Sequence, residues 1–101
     1  MAHSFINYKR QRIILGDGAF EHISETHPEV SLEDIKVTLK DPDEVRMSSY
    51  KDDSELYYLL KTKRRYLCVI VKICEDGNFI STALTTTKPK VGRVIYKKGA
   101  E

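Results

Sequence analysis

Hydrophobic positions along the chain keep one period up to about residue 43 and another beyond it. In the first part, Phe20, Ile23 and His27 recur at three- and four-residue spacing, which predicts a helix over about residues 18–27. Asp17 stands where an N-cap is expected, and Pro28 stops the helix. Ser31-Leu32-Glu33-Asp34 has the form of a capping box ending in an acid, and Leu32, Ile35 and Leu39 continue it as an apolar stripe. Asp41-Pro42-Asp43 closes that second helix. Ahead of both, residues 11–15 can form a short strand ended by Gly16-Asp17-Gly18.

From Glu44 onward the period is two. Residues 44–50 and 55–61 read as strands separated by the turn Lys51-Asp52-Asp53-Ser54, and Thr62-Lys63-Arg64 turns the chain again. Residues 65–74 are the most apolar, β-branched run, as a central strand requires. Asp76-Gly77 is a strong hairpin signal that returns residues 78–87 beside it, and residues 93–97 add a short edge strand after Lys88-Pro89-Lys90. A loop at Asp76-Gly77 sets Val71 opposite Thr82, Val69 opposite Leu84 and Leu67 opposite Thr86; a one-residue bulge would exchange the two faces. The expected architecture is α+β, with two N-terminal helices packed on a four- to five-stranded antiparallel sheet in one domain spanning 1–101.

Composition narrows the class. Of 101 residues, 41% are apolar and 32% charged, which fits a folded globular chain and not a disordered one. No apolar run reaches the roughly 20 residues of a membrane span, and no leader is visible at the start, so a soluble, cytoplasmic protein is expected. Cys68 and Cys74 fall on one strand, roughly 20 Å apart, too far for a disulfide and without ligand spacing for zinc. Both read as small apolar fillers, and no metal or cofactor motif is present.

Charge is divided along the chain. Residues 17–55 hold twelve acids against four bases, a net −8, and residues 61–101 hold ten bases against three acids, a net +7. A basic surface built by the second half points to an anionic partner, although the acidic half serves equally well as a solvated helical face.

Four stretches carry a specific likeness: His22-Ile23 with His27-Pro28-Glu29-Val30; Leu32-Glu33-Asp34-Ile35 running into Asp41-Pro42-Asp43; residues 66–72; and residues 80–86. With them the chain resembles the barnase/EndoU/colicin/RelE-like superfamily of small metal-independent ribonucleases, which includes BrnT-type toxins and phage-associated members. The resemblance implies a catalytic set of His22, Lys72, Arg65, Thr82 and Thr86. In that reading a histidine moves protons and a basic residue stabilises the charge of the pentacovalent phosphate. The alternatives stay open residue by residue. His27 can serve as a helix cap, Lys72 can snorkel to an open face, and Ser81, Thr85 and Thr87 can replace the other threonines. Lys63, Arg64, Tyr66, Lys88 and Lys90 are the expected RNA contacts, with tyrosines stacking on bases. An antitoxin-like protein is a further expected partner, docked on the acidic second helix. The competing reading is a catalytically silent RNA- or protein-binding module of the same fold.

Overall fold

The computed structural model describes residues 3–48, 53–89 and 92–99, and its chain opens on strands. β1 (His3–Ile6) pairs antiparallel with β2 (Arg12–Leu15). In β2 the alternation works as the pattern requires: Ile13 and Leu15 are fully buried and Arg12 is exposed. Two helices follow, α1 (Asp17–Thr26) and α2 (Leu32–Lys40). The elements that follow among the described residues are strands: β3 (Glu44–Ser48), β4 (Ser54–Thr62), β5 (Arg65–Cys74), β6 (Gly77–Thr86) and β7 (Gly92–Lys97).

Among the described residues seven strands form one sheet in the order β1-β2-β6-β5-β4-β3-β7, with β2 and β6 parallel. This corrects the expected architecture. The helices are not N-terminal, and the sheet is neither four- to five-stranded nor purely antiparallel. The reasons are physical. Ile13 pairs with Asn78, a pairing no local pattern can display. β7 does not extend the hairpin series but closes the far edge against β3.

The capping box of α2 forms as expected. Asp34 N–H donates to Ser31 Oγ at 3.1 Å, and Ser31 N–H donates to an Asp34 carboxylate oxygen at 3.0 Å. For α1 the N-cap is Gly16, without a side-chain cap, and Asp17 is the first helical residue. Both helices lie on one face of the sheet, where Ile23, Ile35 and Leu39 meet Tyr57, Val69 and Val71. The opposite face holds a smaller cluster of Leu56, Tyr58 and Cys68 flanked by Tyr66, Ile70 and Leu84. Cys68 is thus the apolar filler expected, whereas Cys74 is exposed.

The β5–β6 register differs from expectation at two places. The turn is Glu75-Asp76, and Gly77, at φ 144°, already pairs with Cys74. That φ favours glycine. A bulge then falls at Ser81, so that Val71 pairs with Ile80 while Ile70 pairs with Thr82. The result places Leu67, Val69, Ala83 and Thr85 under the helices and sends Thr82 and Thr86 to the opposite face.

Candidate active site at the basic end of the sheet

Antiparallel pairing brings the β4–β5 turn and the exit of β6 side by side, because Tyr66 pairs with Thr86 and Leu67 with Thr85. Lys63 and Arg64 form the turn, Arg65 opens β5, and Lys88 follows β6; all four are exposed. None has a carboxylate within ion-pair distance among the described residues. This end of the sheet therefore presents four cations outside any ion pair among the described residues. Lys61 adds a fifth cation but is tied to Asp34, in the first turn of α2, at 3.8 Å.

The helix-to-helix turn is held over this same end. His27 caps α1 through its backbone N–H to Ile23 O at 2.7 Å, and its carbonyl accepts from Val30 N–H at 3.1 Å. Val30 is buried in the core and the capping box begins one residue later, so the turn His27-Pro28-Glu29 is fixed at both ends. Within it, His27 Nδ1 lies 3.7 Å from Glu29 Oε2. Thr85 Oγ1, reaching up from β6, donates to the same oxygen at 3.1 Å.

The Glu29 carboxyl is held below the usual carboxylate range. Its own backbone N–H is the largest cause, partly opposed by desolvation, with the Thr85 hydroxyl, His27 and Arg65 adding to the lowering. A carboxylate that stays ionised, an imidazole beside it and an unpaired guanidinium at the strand start thus share one surface. The family model for PBECR2, phage-Barnase-EndoU-ColicinE5/D-RelE like nuclease2, matches residues 2–99. The chain belongs to the PBECR2 nuclease family. No curated protein matches the chain, and no solved structure does.

Family membership bears out the superfamily resemblance and makes this PBECR2 chain a nuclease of the barnase/EndoU/colicin/RelE type. The structure gathers only part of the residue set expected from that resemblance. Arg65, Lys63, Arg64 and Lys88 share one end of the sheet. Lys72 lies seven residues from Arg65 along β5, ~23 Å away at strand rise, and pairs with Phe79 and Ser54 on the face opposite the helices. Thr82 and Thr86 lie on that face too, where Thr86 Oγ1 donates to Lys88 O at 3.1 Å. Tyr66 packs there edge-on to Tyr58, with ring centroids 6.3 Å apart.

His22 is exposed on α1, about 7.5 Å along the axis from His27, and its imidazole has no partner among the described residues. The sheet stands between it and Lys72, Thr82 and Thr86. Lys90 lies outside the described residues. Glu29 is absent from the residue set expected from the sequence, and Thr85 stands in it only as an alternative. The signal for Glu29 was the His27-Pro28-Glu29 triplet itself, an acid directly beyond a helix-ending His-Pro. Among the described residues of this PBECR2 chain, no three His, Cys, Asp or Glu side chains are grouped as metal ligands, and no helix is long and apolar enough to cross a membrane.

Proposed function

We propose that the chain is a metal-independent endoribonuclease acting on RNA in the cytoplasm, with its reaction centre at His27 and Glu29. The observation that carries this is the linked set Thr85–Glu29–His27 beside Arg65, on the end of the sheet where the unpaired cations gather. Cleavage without a metal needs a proton acceptor for the 2′-OH, a donor for the leaving 5′-oxygen and a counter-charge for the phosphorane. In this reading the Glu29 carboxylate accepts the 2′-OH proton as the 2′-oxygen bonds to phosphorus. The bond to the 5′-oxygen breaks, and His27 protonates that oxygen. The products are a 2′,3′-cyclic phosphate and a 5′-hydroxyl. Arg65 faces the charge that builds on the phosphate, and Lys63, Arg64 and Lys88 hold the flanking backbone.

Purified protein incubated with total RNA in EDTA, followed by end-group mapping, tests the reaction directly. His27→Ala is expected to lower cleavage roughly 10²–10⁴-fold, with retained fold and RNA binding. His22→Ala, at an exposed position of the same helix, is the paired control. If His22→Ala carries the loss and His27→Ala cleaves normally, proton transfer passes to His22. If the folded parent binds RNA and leaves it intact, the non-catalytic binding module takes its place.

A further inference from the structure

A cleft of about 760 Å³ opens between β1 and α2, away from the His27 turn. Four cations line it: Arg10 and Arg12 from the β1–β2 hairpin, Lys36 and Lys40 from α2. None of the four has a carboxylate within ion-pair distance among the described residues, although the neighbouring helical segment is rich in acids. Phe5 and Tyr8 supply its apolar walls, and the Tyr8 ring is fixed against Tyr96 at 4.4 Å and Tyr57 at 5.9 Å.

The turn that presents Arg10 is built rather than loose. Arg10 sits at φ 63°, a conformation a non-glycine residue adopts only when its surroundings impose it. Here the buried Asn7 side chain imposes it, accepting from Lys9 N–H at 3.0 Å and from Gln11 N–H at 2.8 Å. The volume falls within the ~300–1,000 Å³ typical of small-ligand sites. Four positive groups with no internal counter-charge fit a phosphate, which guanidinium forks grip in two-point fashion.

We propose that this cleft binds a backbone phosphate of single-stranded RNA at a distance from the bond that is cut. It is a second substrate site at the opposite end of α2. The inference rests on the RNA reading above and extends it. α2 spans nine residues, ~13 Å, from the end beside Lys61 to the end at Lys40, so one RNA strand can engage both sites. An added peptide strand is the other occupant such a sheet edge could take. β1 is only four residues long and offers about two outward hydrogen-bonding rungs, too few to register a strand. The charge density favours the nucleic acid.

The test uses two double variants of the full chain, Arg10→Gln with Arg12→Gln, and Lys36→Gln with Lys40→Gln. The probe is an RNA dodecamer methylated at every 2′-oxygen, which cannot be cleaved. Each double variant should weaken dodecamer binding at least tenfold and flatten its salt dependence by about 0.7 in log–log slope for each phosphate no longer neutralised. KM for a cleavable dodecamer should rise at unchanged kcat, while dinucleotide cleavage stays at the parent level. Circular dichroism confirms the fold, and the lysine pair, exposed on α2, provides a variant free of the hairpin. If both pairs bind and cleave the dodecamer like the parent, the cleft is not an RNA site, whatever becomes of the nuclease reading. If the parent cuts no RNA yet binds the methylated probe through these residues, the cleavage reading fails and the phosphate site stands. Unchanged RNA binding combined with loss of affinity for an acidic peptide would also overturn the proposal.

Discussion

Asn7 is the residue whose removal tests the architecture most sharply. Its side chain is 2% exposed and joins the β1–β2 hairpin to the centre of the sheet. Nδ2 donates to Tyr57 Oη at 3.0 Å, fifty residues away, and to Gln11 Oε1 at 3.2 Å, while Oδ1 accepts from two backbone N–H groups. Tyr57 in turn donates to Glu55 Oε1 at 3.1 Å, inside the core. Asn7→Ala strands two backbone donors and strips one bond from a buried hydroxyl. At roughly 1 kcal/mol for each of those three bonds, the loss is about 3 kcal/mol. That is a large part of the ~5–15 kcal/mol available to a domain. The melting temperature should fall by about 12–24 °C at the usual 4–8 °C per kcal/mol. Urea unfolding followed by circular dichroism gives the free energy directly. Gln11→Ala is the control, because its side chain makes only the longest of the four bonds and is exposed. Coupling between Asn7→Ala and Tyr57→Phe in a double-mutant cycle should be about 1 kcal/mol. A loss below ~1 kcal/mol for Asn7→Ala, or no coupling, would refute the view that this hairpin is pinned through its buried amide.

Thr85→Val tests Glu29. The hydroxyl bond favours the ionised carboxyl, so its loss raises the Glu29 pKa toward the ordinary value. A reaction that needs Glu29 ionised fails as pH falls through that pKa, so the acid limb of the kcat/KM profile should lie below the usual carboxylate range in the parent and at higher pH in the variant; coincident limbs would remove Glu29 from the reaction. For the second helix, Ser31→Ala should cost about 1 kcal/mol in urea unfolding and Ser31→Gly only a few tenths, since glycine is tolerated at an N-cap. An unchanged unfolding free energy for Ser31→Ala would show that the capping box contributes nothing.

What the sequence made legible is what is local. Ser31 and Asp34 sit three apart and satisfy each other's backbone, so the start of α2 could be read directly. The apolar run 65–74 could only be a central strand. The cationic end could be inferred as well, because a short turn at Lys63-Arg64 and a hairpin returning to Thr86 must finish together. β1 could not be read: it has four residues, and its turn is organised by an Asn7 side chain bonded to a tyrosine fifty positions on. The parallel β2–β6 pairing was hidden for the same reason, its partners lying sixty-five positions apart at Ile13 and Asn78.

The candidate site was half-visible, and a single residue explains which half. From Phe79 to Leu84 almost every position tolerates burial on one side, so polarity alone cannot show where the alternation slips. The bulge at Ser81 makes it slip, and every later side chain of β6 changes face. Without it, Leu84 would sit opposite Leu67 beneath the helices and Thr85 would face away from them; with it, Thr85 takes that place. Only then does a hydroxyl from the strand meet Glu29 across fifty-six positions and link the His27 turn to the end of the sheet that carries Arg65. Four isolated polar residues thereby share one surface because β6 contains one residue more than its partner requires.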